Sequence, residues 1–163
     1  PGREGTSPEQ LDELRQLVEA SGGRALALFS SWKAVDAAES VLQPVCDELG
    51  VRLLVQRRGT PVSDLVKTFA SDETSVLLGT LSLWQGVDVP GEQLSCVIID
   101  KLPFSVPSDP VVEARIAAIR ADGGDPFSGY QVPQAAIALK QGFGRLIRSR
   151  TDRGVLALLD KRK

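Results

Sequence analysis

Apolar residues gather in five short runs: RALALFS (24–30), VRLLVQ (51–56), SVLLGT (75–80), SCVIIDKLP (95–103) and GVLALLD (154–160). Each has strand length and too little alternation for a sheet with one wet face. The segments between them carry helix signals. Ser7-Pro8-Glu9-Gln10 predicts a helix start, with Ser7 as N-cap, Pro8 at the first helical position and Gln10 three residues on. Gly22-Gly23 ends that helix. A second is predicted over 33–49 with a bend at Pro44, and a third opens at Thr60-Pro61 and reaches about Ala70. Asp109-Pro110 caps a fourth that runs to about Asp122 before Gly123-Gly124. A loop through Pro126, Phe127 and Pro133 leads into the last. Buried strands alternating with helices specify an α/β fold, a parallel sheet with helices on both faces. Such sheets work at the carboxyl ends of their strands, which directs attention to the loops after Ser30, Thr80 and Lys101.

The length of 163 residues suits one domain, placed at 7–163 after a polar linker at 1–6. No apolar run has bilayer-spanning length and no secretory signal pattern is present. The chain has no methionine and starts at Pro1, the expectation for a piece of a longer protein. It also has no histidine, which excludes Cys/His zinc sites and histidine-based catalysis. Cys46 and Cys96 sit fifty residues apart in apolar surroundings. They read as buried reduced thiols, and the protein as cytoplasmic, with no metal site and no membrane partner.

The net charge of −2 conceals an asymmetry. Residues 1–139 hold 11 basic and 19 acidic side chains, whereas residues 140–163 hold 8 basic and 2 acidic. The basic end is QGFGRLIRSRTDRG (141–154). At a helical pitch of about 100° per residue, Gln141, Arg145 and Arg148 form one stripe, opposite Leu139, Phe143, Leu146 and Ile147. Gly142 and Gly144 flank the stripe, where a larger side chain would hold a ligand at a distance. Each glycine costs the helix about 1 kcal/mol relative to alanine. Phosphate is the partner that suits a pair of guanidinium forks. Charge alone is equally compatible with a solvated basic helix and tail.

No GxxxxGK[ST] phosphate loop, GxGxxG turn or acidic metal pair follows any strand, so the chain does not cradle a triphosphate and its Mg²⁺ unaided. Two strand-end loops carry small polar residues. In GTLSLWQGVDVPG (79–91) they suit contacts to nucleic-acid phosphate, and Asp88 either anchors the loop or holds a ribose hydroxyl. A plain βα loop packed around Trp84 fits the same letters. In LFSSWKA (28–34), Ser30 and Ser31 stand between strand and helix, where an ordinary N-cap with Trp32 as a core anchor accounts for them.

Taken in order, LFSSW (28–32), GTLSLWQGVDVPG (79–91), KLPFSVPSDPV (101–111) and QGFGRLIRSRTDRGVLALLDKR (141–162) resemble the second RecA-like motor domain of superfamily 2 helicases. Within that group they are similar to the DinG-type branch, bacterial relatives of the XPD iron–sulfur helicases. The resemblance implies a three-layer, P-loop NTPase-like sheet without its own phosphate loop. It also implies that Arg145 and Arg148 are arginine fingers for ATP–Mg²⁺ held by a first motor domain of the same chain. Gln141, Gly144, Gly86 and Asp88 would then line the nucleotide, and Ser30, Ser31, Thr80 and Ser82 would meet single-stranded DNA. Gln85 departs from the glutamate expected in many relatives. An iron–sulfur cluster would belong to the first domain, outside this sequence. The rival reading is a non-catalytic α/β domain binding phosphate or a partner through its basic end. A hydrolase of another kind finds no nucleophile–base set.

Overall fold

The computed structural model describes residues 5–85, 94–104, 109–147 and 149–161, and the backbone alone of Gln85, Phe143 and Arg145. Five parallel strands form one sheet: β1 (Ala25–Phe29), β2 (Leu53–Val55), β3 (Val76–Thr80), β4 (Cys96–Ile99) and β5 (Val155–Leu158). Their spatial order is β2-β3-β1-β4-β5. Every strand lies inside one of the apolar runs, and β1, β3 and β4 are buried almost throughout, as a sheet covered on both faces requires.

α1 (Pro8–Ser21) precedes β1, and two helices make the first crossovers: α2 (Trp32–Leu49) and α3 (Val62–Ser71). The chain crosses from β1 to β2 in one direction and from β2 to β3 in the other, so right-handed connections set α2 and α3 on opposite faces. Leu14, Val18, Ala34, Val35, Ala38, Leu42 and Cys46 from α1 and α2 pack on Ala25, Ala27, Phe29, Val76, Leu78, Cys96 and Ile98. The intervening strand residues, Leu26, Leu28, Leu77 and Ile99, are buried on the other face.

The predicted start of α1 is present in full. Ser7 Oγ accepts the Gln10 N–H at 3.2 Å and Gln10 Oε1 accepts the Ser7 N–H at 2.9 Å. Ser31 caps α2, which runs on as a helix through Pro44 to a left-handed Gly50.

Leu102–Phe143 forms a second compact unit, and the remainder of the chain makes the first. The second unit holds α4 (Pro110–Ala121), a π-helical turn at Phe127–Gln131 and most of α5 (Val132–Leu146). Asp109 caps α4 through the N–H groups of Val111 and Val112. The expected loop through Pro133 is thus helical. Pro133 directly follows the π-helical turn, which runs unbroken into α5 with the Val132 N–H bonded to the Phe127 carbonyl.

α5 ends at Leu146, short of the expected span, and Ile147, expected on the face opposite the stripe, is exposed. A competing turn follows: Ser149 donates its N–H to Asp152 Oδ2 at 2.9 Å and its hydroxyl to Oδ1 at 2.8 Å.

Candidate functional site

At the carboxyl edge of the sheet, two buried polar side chains organise the exposed residues around them. The first is Asp100, directly after β4 and 1% exposed. Its Oδ1 accepts the Ser30 N–H at 3.0 Å and its Oδ2 accepts the Ser30 hydroxyl at 2.8 Å. β1 and β4 pair in register from Ala25–Cys96 to Leu28–Ile99, so the residues that leave these strands arrive side by side. Burial raises the Asp100 carboxyl above its ordinary range, against the smaller opposing effect of the Ser30 and Lys101 hydrogen bonds. Gln10 secures the same corner from α1: its Nε2 donates to the Leu159 carbonyl at 2.8 Å and to the Asp100 carbonyl at 3.4 Å.

The second organiser is Gln56, just past β2 and 6% exposed. Its Oε1 accepts the Thr80 N–H at 2.8 Å and lies 3.1 Å from Thr80 Oγ1. Because a backbone N–H only donates, the amide orientation is fixed with oxygen toward Thr80. Thr80 Oγ1 in turn lies 2.6 Å from Ser82 Oγ. Gly79 makes this possible. A Cβ there would come within 1.9 Å of Leu83 Cδ1 and 2.8 Å of Gln56 Oε1. Phe29 pairs with Thr80, so the Ser30 and Thr80–Ser82 clusters occupy adjacent strand ends at one level.

Four of the expected strand-contact residues are therefore gathered: Ser30, Ser31, Thr80 and Ser82 share the carboxyl edge of β1 and β3, and all but Thr80 are exposed. The polar letters that end the runs VRLLVQ and VIID were the available sequence signal for Gln56 and Asp100, and only the residues beyond them drew attention. The segment after Thr80, expected as a loop, is a 3₁₀ turn over Leu81–Gln85 that buries Leu83. Trp32 is half-buried rather than a core anchor; the Arg58 guanidinium lies 5.5 Å from its ring centre. Arg57 beside it makes a two-pronged pair with Glu39 at 2.6 and 2.8 Å.

The arginine end of the chain lies elsewhere. Gly86, Asp88 and Arg148 fall outside the described residues, as does the side chain of Arg145. Gln141 is exposed, and a Cβ on exposed Gly144 would meet nothing within 4 Å. Leu146, next to Arg145, is fully buried and fills the space over Gly154, where a Cβ would approach its Cδ1 to 2.7 Å. Gly154 immediately precedes β5, whose first residue Val155 pairs with Cys96 at the start of β4. The final turn of α5 thus adjoins the amino edge of the sheet, opposite the serines and Thr80.

Cys46 and Cys96 are buried and free, and burial pushes both thiols up to about 11. Among the described residues, no group of three or more Cys, Asp or Glu side chains could hold a metal ion, and no helix is long and apolar enough to cross a membrane.

With this geometry in place, comparison with known proteins is informative. The chain is 48% identical to an ATP-dependent helicase DinG of Mycobacterium tuberculosis over 163 residues, 99% of this chain and 24% of that protein. It is 45% identical to the ATP-dependent DNA helicase YoaA of Escherichia coli, across 91% of this chain and 23% of that one. It spans about a quarter of the length of these relatives. A solved XPD helicase shares the fold with a TM-score of 0.66 at 21% identity, covering 93% of this chain and 27% of that structure. The helicase C-terminal domain family matches residues 14–163, from within α1 to the last residue. The chain belongs to that family, as a C-terminal RecA-like domain of the DinG type.

Proposed function

We propose that residues 7–163 act as the second motor domain of an ATP-dependent DNA helicase of the repair or replication type. The observation that carries this reading is the family match over residues 14–163. In this reading the first motor domain of the same chain binds ATP and its Mg²⁺, and any iron–sulfur cluster resides there too. Arg145 and Arg148 reach that nucleotide, with Gln141 and Gly144 beside them and Gly86 and Asp88 on a second approach. As the γ-phosphoryl group passes to water, charge redistributes over its oxygens, and guanidinium groups placed there lower the barrier. Ser30, Ser31, Thr80 and Ser82 grip single-stranded DNA. Domain closure on ATP and release after hydrolysis then become movement along the strand. The buried thiols suit a reducing, cytoplasmic setting.

Arg148→Ala in the full-length protein tests the finger role. Steady-state ATP turnover falls by about 10³–10⁵ if the finger acts as such groups do, with ATP affinity changed far less. Turnover near wild type would reject the role. Purified residues 1–163 hydrolyse no ATP on this reading; robust hydrolysis by them would overturn the division of labour.

A further inference from the structure

The four hydroxyls at the carboxyl edge are not equivalent, because the structure commits the proton of three of them and not of the fourth. An ionised carboxylate only accepts, so the Ser30 hydroxyl at 2.8 Å from Asp100 Oδ2 spends its proton inward. Gln56 Oε1 is pinned by the Thr80 N–H, so Thr80 Oγ1 donates to that oxygen. The 2.6 Å contact between Thr80 and Ser82 by itself allows either hydroxyl to donate; with Thr80's proton directed to Gln56, Ser82 donates and Thr80 accepts. Ser30 and Ser82 are exposed and show solvent only lone pairs. Ser31 is the reverse case. Its Oγ accepts the Ala34 N–H at 3.2 Å as the cap of α2, which leaves its own proton to donate outward.

Phosphate oxygens accept hydrogen bonds and carry none to give. A lone pair facing one is repelled, whereas a hydroxyl proton is attracted. Within a deoxyribose strand the donors are the N–H groups of the bases. From these polarities we infer that Ser30 and Ser82 take hydrogen bonds from base amino groups, while Ser31 meets the phosphate backbone. The edge is thus divided into a base-facing pair of acceptors and a backbone-facing donor, and the strand contact carries a preference for amino-bearing bases. This rests on the strand-gripping reading above and specifies which part of the strand each hydroxyl meets.

Asp100 is the positioning residue. In Asp100→Asn, the amide oxygen takes the place of Oδ1 and keeps the Ser30 N–H, and the amide nitrogen takes the place of Oδ2. That nitrogen donates to Ser30 Oγ, and the Ser30 proton turns outward. Ser30 then acquires the polarity of Ser31.

The test measures binding of the full-length protein, without nucleotide and at one fixed salt concentration, to two labelled oligomers of equal length. One is oligo-deoxyadenosine. The other carries unsubstituted purine, which lacks the 6-amino group. The wild type binds the adenine strand about 2- to 10-fold tighter, the range of one or two ordinary hydrogen bonds. Ser82→Ala reduces that preference without weakening the purine strand. Ser31→Ala weakens both strands by one factor. Asp100→Asn tightens both and narrows the preference. Equal wild-type affinity for the two strands overturns the inference, as does an equal loss on both in Ser82→Ala. Binding of neither strand removes the strand-gripping reading itself, and this inference with it.

Discussion

Both edges of the sheet are joined main chain to main chain, and the carboxyl edge adds buried side-chain joints. At the amino edge the chain is stitched main chain to main chain: Arg24 N–H to the Thr74 carbonyl at 3.2 Å, Ser95 N–H to the Arg24 carbonyl at 2.9 Å, Val155 N–H to the Ser95 carbonyl at 2.9 Å. Glycines admit that closeness. At the carboxyl edge the main-chain joints recur, Gln56 N–H to the Leu78 carbonyl at 2.8 Å, Asp100 N–H to the Leu28 carbonyl at 3.0 Å and Leu159 N–H to the Ile99 carbonyl at 2.9 Å. Three buried side chains, Gln10, Gln56 and Asp100, are added there, each bonded to the ends of neighbouring strands. Main-chain joints fix where strands start and leave nothing to present. Side-chain joints additionally set the direction of exposed hydroxyls, which is why the candidate strand contacts collect on that edge. A buried polar group of this kind is costly unless bonded, so it also specifies one arrangement.

The sharpest way to break the comparison is at Gly23. Its φ of +107° is one that side chains rarely adopt, and a Cβ there would stand 1.8 Å from the Thr74 carbonyl oxygen. Gly23→Ala forces two strand starts apart and costs at least ~3 kcal/mol in urea unfolding. A loss below about 1 kcal/mol would show that the amino edge yields more easily than its geometry implies. Next in size is Gln10→Ala, which removes the donor shared by the Leu159 and Asp100 carbonyls together with half of the capping box. It should cost about 2 kcal/mol. Ser7→Ala, which removes only the cap hydroxyl, should cost about 1 kcal/mol. Equal losses in the two variants would mean that the link to β5 adds nothing.

Gly154→Ala is milder than Gly23→Ala, because the obstructing group is the end of a leucine side chain rather than a backbone carbonyl. A loss of about 1–2 kcal/mol is expected, with Leu146 turning aside. Since Leu146 adjoins Arg145, the same variant in the full-length protein should lower ATP turnover while leaving single-strand affinity unchanged. Strand affinity that fell with turnover would show that the two edges are not separate sites.

The sequence made the sheet legible because its strands are buried on both faces, and five apolar runs separated by capped helices admit few other arrangements. Ser7–Gln10 and Asp109–Pro110 located helix starts because capping is local chemistry. The end of α5 at Leu146 was not legible: the helical stripe that begins at Gln141 assumes an unbroken pitch beyond that residue, and the Ser149–Asp152 turn competes with it. Ser30 and Thr80 were found as small polar residues at strand ends. The residues that aim them were missed because Gln56 and Asp100 act on groups 24 and 70 positions away, a relation set by strand order alone. Burial likewise separates Trp32 from a core role only once Arg58 is seen beside it.

The smallest expected effect concerns Asp100 and distinguishes aiming from stabilising. Burial raises its carboxyl in the folded state above its unfolded value of about 3.9. A folded state that holds its proton more tightly is relatively favoured in acid, so this group's contribution is most favourable below the unfolded value. It falls away as pH rises through the folded one. At neutral pH the buried charge is therefore a net burden on the fold, and Asp100→Asn relieves it. Tm of the variant should exceed wild type by about 2–4 °C at pH 7, the shift expected for ~1 kcal/mol in a domain of this size. The difference should shrink toward zero as pH is lowered through the carboxylate range. Other carboxylates titrate identically in both proteins and cancel from it. A variant less stable than wild type at pH 7 would mean that the hydrogen bonds to Ser30 and Lys101 outweigh desolvation, so that Asp100 serves the fold first. A more stable variant with altered strand preference means that the sheet carries a destabilising charge for the sake of where one hydroxyl points.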